Sequence, residues 1–212
     1  MIRIIIADDH AVVRRGLKQI ISEEADMTVL AEANNAQDVL DAIAKKKFDV
    51  VILDISMPGK SGLEVLKDLK QLKPNLAVLV LSMYPEEQFA MRVLKAGAAG
   101  YLTKESAPEE LVKAIRKVYA GERYVSSRFA DTIMNEFGAD DKPPHTQLSD
   151  REYEVFLLLA SGKTVSEIAE EITLSVKTIS TYRSRILEKM KMKTNAELTH
   201  YAMRNKLVQA LT

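Results

Sequence analysis

Five residues in the first half of the chain carry groups that could work as one site: the carboxylates of Asp8, Asp9 and Asp54, the hydroxyl of Ser82 and the ammonium of Lys104. Asp8 and Asp9 follow the apolar run Ile2–Ala7, and Asp54 follows Val50–Leu53. Ser82 follows Ala77–Leu81, and Lys104 comes just after Gly100–Leu102. Three carboxylates brought to one point repel each other, and a cation relieves the repulsion. All-oxygen ligands suit Mg²⁺, which takes one or two carboxylates together with waters and a phosphate. A lysine acts on a phosphoryl oxygen as a point charge, and a serine hydroxyl can hydrogen-bond another. The chemistry implied is phosphoryl transfer to an aspartate, with a metal neutralising the charge that develops. One loop aspartate alone would be unremarkable, since loops are rich in that residue. An acidic pair, a further acid, a hydroxyl and a lysine at four strand ends are not so easily dismissed.

The elements that must position these groups are legible as a pattern. Through the first ~120 residues, short apolar runs alternate with longer amphipathic segments. A fifth run, Thr28–Ala31, completes the strands. One helical pattern carries Val12, Val13, Gly16, Leu17, Ile20 and Ile21; others span Ala36–Lys46, Gly62–Leu72, Glu86–Ala96 and Pro108–Ala120. Strands alternating with helices predict a doubly wound α/β domain over residues 1–121 with a five-stranded parallel sheet. The runs are continuously apolar, as befits strands covered on both faces. In such a sheet, sites form beyond the carboxyl ends of the strands near the point where strand order reverses.

The texture changes after Gly121. Residues 122–146 read as a connector, partly helical over 122–138, then charged and broken by Pro143-Pro144. Residues 147–212 show no strand pattern but several helix starts. Ser149…Glu152, Thr164…Glu167 and Thr194…Glu197 each match a capping box, Ser175 is a good N-cap, and Gly162 ends the first helix. A compact four-helix domain is expected, with the helix from Val165 to Ile172 joined to the next through Thr173-Leu174-Ser175, a helix-turn-helix.

The second of those helices is basic. Between Ser175 and Lys193 six cations (Lys177, Arg183, Arg185, Lys189, Lys191, Lys193) face one acid, Glu188, a net of +5. A focused positive stripe is the footprint of phosphate binding. On a helical wheel Val176, Ile179, Tyr182, Ile186, Leu187 and Met190 share one side, while Lys177, Ser180, Thr181, Ser184, Arg185 and Glu188 share the other. Short polar side chains flanked by cations suit a helix in a DNA major groove, where hydroxyls reach base edges. Lys177, Ser180, Thr181, Ser184, Arg185 and Lys189 are therefore the candidate DNA contacts. Arg183 falls on the apolar side and is expected to pair with an acid of the first helix, such as Glu152 or Glu154.

Composition bounds the rest. The 212 residues suit one or two domains, and 30 basic residues balance 30 acidic ones, so only the distribution of charge is informative. No stretch approaches the ~20 apolar residues of a membrane span. The start runs straight into Asp8-Asp9 and is not read as a signal peptide. The absence of cysteine removes disulfides and thiolate chemistry and fits a cytoplasmic setting.

The first domain resembles the receiver domain of bacterial two-component response regulators. The likeness rests on Asp8-Asp9, Leu53-Asp54-Ile55-Ser56-Met57-Pro58-Gly59, Gly62, Leu81-Ser82 and Ala96-Gly97-Ala98-Ala99-Gly100-Tyr101-Leu102-Thr103-Lys104. It implies the flavodoxin-like strand order 2-1-3-4-5, and that Asp54 accepts phosphate from a sensor histidine kinase. It also implies that Asp9, Asp54 and the Ser56 carbonyl bind Mg²⁺ with Asp8 assisting, that Ser82 and Tyr101 are paired switch residues, and that Lys104 pairs with the phosphate. Glu105 stands where many receivers have proline. The last domain resembles the LuxR-type helix-turn-helix, which with the receiver implies the NarL/FixJ family of transcriptional regulators. Partners so implied are a double-stranded DNA operator and a second copy of the chain, with RNA polymerase a candidate further partner. In that family the positions of Ser180, Thr181 and Ser184 face bases. Many members carry lysine and histidine where this chain has Ser180 and Tyr182, and the Ser-Thr-Tyr-Arg run resembles the GacA/UvrY branch.

Other readings meet specific obstacles. A phosphohydrolase of the haloacid dehalogenase type would want a second aspartate two residues beyond the nucleophile, where this chain has Ser56. A flavodoxin-like electron carrier would want a hydroxyl- and glycine-rich loop after the first strand, where this chain has Asp8-Asp9-His10. A regulator whose DNA binding ignores phosphorylation would have no use for the complete acidic set.

Overall fold

The computed structural model describes residues 1–57, 60–127, 129–130 and 143–208. The chain divides into two compact units, Met1–Met134 and Asn135–Thr212.

The first unit is a parallel sheet of five strands, β1 (Ile2–Ala7), β2 (Met27–Ala33), β3 (Val50–Asp54), β4 (Ala77–Ser82) and β5 (Gly100–Thr103), in the order β2-β1-β3-β4-β5. The helices between and after them are α1 (Ala11–Ser22), α2 (Ala36–Lys45), α3 (Gly62–Leu72), α4 (Glu86–Lys95) and α5 (Ala107–Tyr119). Ile4, Ile6, Ile52, Leu79 and Leu81 pack with Leu17 and Ile21 of α1 and with Leu111 and Ile115 of α5. The alternate residues Ile5, Val51, Leu53, Val78 and Val80 are equally buried. Both faces are covered, which is why the strands carry no polar alternation. β2 is longer than its sequence pattern suggested. Ile4 pairs with Val29 and Ile5 with Ala31, so Leu30 is an unpaired bulge residue on an edge strand and stands 38% exposed.

The strand order reverses between β1 and β3. Asp8, immediately beyond β1, and Asp54, the last residue of β3, therefore flank the switch point. α3 starts hard against it: Ser61 and Glu64 form a capping box that the sequence reading had not singled out. Gly62 leaves no room for a side chain there, since a Cβ would lie 2.2 Å from the Asp54 carbonyl oxygen and 2.6 Å from Ile55 Cα.

The chain does not leave this unit at Gly121. Tyr124 returns to the sheet edge, its N–H donating to the Ala99 carbonyl at 3.0 Å and its carbonyl accepting the Tyr101 N–H at 2.9 Å. Within the stretch expected to be partly helical, residues 127, 129 and 130 are helical and 122–126 are not. Residues 128 and 131–138 of that expectation, and the charged stretch before Pro143, lie outside the described residues.

In the second unit a 3₁₀ turn (Pro144–Gln147) precedes α6 (Asp150–Ala160), α7 (Val165–Glu171), α8 (Val176–Met190) and α9 (Asn195–Arg204). The capping boxes at Ser149 and Thr164 form, and Ser175 caps α8 by accepting the Thr178 N–H. The third box forms by half. Thr194 caps α9, but Glu197 reaches past the cap residue to the Lys193 N–H at 2.8 Å. Gly162 ends α6 at φ +90, and Thr173 makes the α7–α8 turn at φ +54.

Two glycines should respond to alanine with opposite signs. Gly16, inside α1, has open space where a Cβ would sit, so Gly16→Ala should stabilise by about 0.5–1 kcal/mol through helix propensity. Gly62→Ala should destabilise by about 1–3 kcal/mol because the Asp54 backbone must shift. Urea midpoints measure both, and a Gly62→Ala midpoint at or above the parent's would show that this approach is not constrained.

Candidate functional site

Asp54 is fully buried at the carboxyl edge of the sheet. One of its oxygens accepts the Ser56 N–H at 3.0 Å, and the other accepts from Lys104 Nζ at 2.8 Å. The same ammonium lies 2.7 Å from Asp8 Oδ2, so Lys104 bridges the ends of β1 and β3 from beyond β5. Asp8 is held by its surroundings. Its Oδ1 accepts the His10 N–H at 2.7 Å, and its carbonyl accepts from Arg14 at 2.7 Å. Asp9 is the more open acid, with His10 Nδ1 at 2.8 Å. Burial pushes the Asp54 carboxyl above its ordinary value; Lys104 opposes this and Asp8 adds to it. Burial alone would lower the Lys104 ammonium, but Asp54 and Asp8 outweigh it and hold it above its usual value.

Asp8, Asp9, His10 and Asp54 each offer a ligand atom, all within 4.8 Å of one another. With three carboxylates ionised against one ammonium, the cluster carries −3 + 1 = −2, which a divalent cation balances. An oxygen-dominated donor set of this kind fits a hard cation. The imidazole of His10 was not picked out from sequence. Its only signal was adjacency to the acidic pair, and its approach depends on the turn that Asp8 makes with its own backbone.

Ser82 ends β4, fully buried, with its Oγ accepting the Tyr84 N–H at 3.1 Å. Lys104 donates its own N–H to the Ser82 carbonyl at 2.7 Å, and no peptide bond is cis among the described residues, Lys104–Glu105 included. Tyr101 is fully buried and donates its hydroxyl to the Tyr84 carbonyl at 2.7 Å. Ser82 and Tyr101 thus meet through one short segment, the β4–α4 loop, rather than directly. Pro58 and Gly59 of the motif following Asp54 lie outside the described residues.

In the second unit α8 buries Ile179, Ile186 and Met190 and exposes Lys177, Ser180, Thr181, Ser184, Arg185 and Lys189. Lys177, Thr181, Tyr182 and Arg185 line a shallow concavity on that face. The three hydroxyls turn back on their own helix: Ser180 donates to the Val176 carbonyl at 2.9 Å, Thr181 to Lys177 at 3.0 Å and Ser184 to Ser180 at 3.1 Å. Arg183 departs from expectation, donating to Asn195 Oδ1 of α9 at 2.7 Å. The acids proposed for it are engaged elsewhere, Glu154 with Arg151 at 2.5 Å and Glu152 with Lys189 at 2.6 Å. Lys189 therefore ties α8 to α6 while its side chain remains 41% exposed. Burial works against the Glu152 charge, yet Lys189 and Ser149 hold its carboxyl below the ordinary value.

Residues 4–116 match the model of the response regulator receiver domain, and residues 146–202 match that of the bacterial regulatory proteins of the luxR family. The chain is 36% identical over 214 residues to the response regulator UvrY of Escherichia coli, covering 100% of this chain and 98% of that one. It is 37% identical over 212 residues to the response regulator GacA of Pseudomonas aeruginosa, covering 99% of each. Among solved structures, RcsB from Salmonella enterica serovar Typhimurium bound to promoter rprA with the phosphomimetic BeF3⁻ matches over 95% of this chain and 98% of that one, at TM-score 0.65 and 29% identity. A receiver pocket on a five-stranded parallel sheet, followed by a LuxR-type helix-turn-helix, places this chain among the two-component response regulators of the NarL/FixJ family.

Proposed function

We propose that Asp54 takes a phosphoryl group from the phosphohistidine of a sensor kinase and that this controls sequence-specific binding of double-stranded DNA by α8. The observation that carries the first half is the buried Asp54 carboxylate at the sheet's switch point, bridged to Asp8 by Lys104. An Asp54 oxygen attacks phosphorus as the bond to the kinase's imidazole nitrogen breaks, and the leaving imidazole takes up a proton. Asp9, Asp54 and the Ser56 carbonyl, with Asp8 assisting, would hold Mg²⁺, which when bound neutralises charge developing on the phosphoryl oxygens. Lys104, already 2.8 Å from Asp54, pairs with one phosphoryl oxygen, and the Ser82 hydroxyl donates to another. Residues 1–121 serve as the receiver, 122–146 as the connector and 147–212 as the DNA-binding domain.

The exposed face of α8 sorts its contacts by polarity. Lys177 and Arg185 suit DNA phosphates, and Lys189 can do so only in competition with Glu152. The hydroxyls of Ser180, Thr181 and Ser184 are different. Each hydrogen is committed to a helix carbonyl, which can only accept, so each oxygen presents lone pairs outward. Such an oxygen is complementary to the amino group of adenine or cytosine and not to the acceptors of guanine or to a phosphate. A single helix reads a short half-site, so a two-fold dimer on two half-sites completes the reading. No described helix is long and apolar enough to cross a membrane. A DNA-binding regulator of this kind works in the cytoplasm, where RNA polymerase is a candidate further partner.

Acetyl phosphate with Mg²⁺ should add one phosphoryl group to the chain by intact mass, and Asp54→Ala should abolish the addition. Asp9→Ala should weaken Mg²⁺ binding at least about tenfold in an NMR titration. Labelling of Asp54→Ala at the parental rate would remove Asp54 as acceptor.

On a duplex selected by the protein from a random pool, removing a single adenine or cytosine amino group under α8 should weaken binding about threefold to tenfold, the worth of one hydrogen bond. Thr181→Val or Ser184→Ala should erase that sensitivity. Sensitivity to 7-deazaguanine instead would mean that the hydroxyls donate.

A further inference from the structure

Between the receiver core and the connector lies a set of contacts that the phosphoacceptor chemistry does not require. Ser126 caps the helical turn that begins at residue 127, its Oγ accepting the Phe129 N–H at 3.2 Å. A helix start of this kind ordinarily carries a glutamate or glutamine three residues after the cap, to accept the cap residue's own N–H. Here that position is Phe129, which cannot accept. The acceptor comes from another element: Glu86, the first residue of α4, takes the Ser126 N–H on Oε1 at 2.9 Å and pairs with the Ser126 hydroxyl through Oε2. One carboxylate thus completes a cap forty residues away along the chain.

The same segment is gripped a second time. The two hydrogen bonds of Tyr124 lay it alongside Gly100 and Tyr101, so close that a Cβ on Gly100 would lie 2.7 Å from the Tyr124 carbonyl. Burial first, then the neighbouring Glu110 of α5, with Glu86 adding, push the Tyr124 phenol up to about 12. Both grips reach the switch residues. Tyr101 supplies the N–H that holds Tyr124, while its hydroxyl holds the Tyr84 carbonyl two residues before Glu86. Tyr84 in turn donates its N–H to Ser82 Oγ and stacks on Phe89 of α4 at 4.8 Å.

We propose that Glu86 is the positioning residue through which the phosphoacceptor pocket sets the path of the connector: its carboxylate completes the cap at Ser126, so that movement of the Ser82–Glu86 loop is passed to the chain leading into the DNA-binding domain. This rests on the reading that phosphorylation of Asp54 controls DNA binding. A phosphoryl group that accepts from the Ser82 hydroxyl pulls its Oγ away from the Tyr84 N–H that donates to it, and the loop from Met83 to Glu86 is what can yield. The small electrostatic event at Asp54 then acts on a discrete hydrogen-bonded latch rather than on a diffuse surface.

The test uses the full-length chain with Glu86→Gln, Ser126→Ala, the double variant and Ser126→Thr. Three readouts are taken: mass labelling by acetyl phosphate, amide exchange over residues 122–130, and affinity for the pool-selected duplex with and without the phosphodonor. Labelling should stay within about twofold of the parent in every variant. In the parent, phosphorylation should change exchange over 122–130. In Glu86→Gln and Ser126→Ala that segment should exchange about tenfold faster in both states, and the ratio of phosphorylated to unphosphorylated DNA affinity should fall to within about twofold of unity. The double variant should do no more than either single one, as expected for one shared interaction, and Ser126→Thr, which keeps the hydroxyl, should restore the ratio. Variants that label normally and keep the parental ratio would overturn the assignment. If the parent itself shows no phosphorylation-dependent affinity, the underlying reading fails, and the exchange arm still decides: a parental response absent in Glu86→Gln supports the latch, and no response overturns it.

Discussion

The receiver depends on keeping two buried carboxylates beside one buried ammonium. Asp54 and Asp8 come together because β1 and β3 are neighbours at the point where strand order reverses, and Lys104 enters from beyond β5 to lie within 2.8 Å of both. Removing one member of such a group strands the others, at a cost of about 3–5 kcal/mol for a typical buried pair. When Asp9 is included the arrangement carries two negative charges in excess, the imbalance that the proposed divalent cation would offset. Much of the surrounding structure serves this constraint. Gly62 lets α3 start against the Asp54 backbone, Arg14 pins the Asp8 carbonyl, and the Lys104 N–H holds the end of β4.

The pocket is joined by hydrogen bonds to the β5 edge of the sheet. Ser82, Tyr84 and Tyr101 are joined by hydrogen bonds that run through the β4–α4 loop, and residues 124–126 dock on β5, α4 and α5. α1 and α5 pack on the sheet through a dense set of apolar side chains that includes Tyr124. Dense apolar contact resists small displacements, whereas a loop held by a few hydrogen bonds has discrete alternatives. Tyr101 is already inward in this structure, so under the proposed switch the choice of partners by the loop atoms would carry the change as much as a rotation of the tyrosine.

The DNA-binding unit solves a separate problem. α8 is basic, and its cations would repel if all of them faced one way. Arg183 is turned to Asn195 and Lys189 to Glu152, which fixes α8 against α9 and α6 from behind. Lys177 and Arg185 stay on the outer face beside the hydroxyls of Ser180, Thr181 and Ser184. A helix held on its flanks by a hydrogen bond and an ion pair presents its polar face with little further ordering, which lowers the entropic cost of association.

Most of the architecture could be read from the chain because it follows from local rules. Continuous apolar runs mark strands covered on both faces, 3.6-residue periodicity marks helices, and serine or threonine followed by glutamate marks their starts. The acidic pocket was legible too, since a parallel sheet places every strand end on one edge and Asp8, Asp9, Asp54, Ser82 and Lys104 each sit at such an end. Other features depended on which atoms met across long separations. The wheel placed Arg183 inward but could not choose Asn195 over Glu152, because the choice turns on how α9 crosses α8. The half-formed box at Thr194, the bulge at Leu30 and the approach of His10 to the acids are local departures that no residue type dictates. The connector shows the division most clearly. Ser126 looks like an ordinary cap lacking its usual partner, and Gly100 looks like an ordinary strand-start glycine. Only the folded chain brings Glu86 to the first and Tyr124 to the second, because hydrogen bonds between residues tens of positions apart form only after packing has fixed both ends.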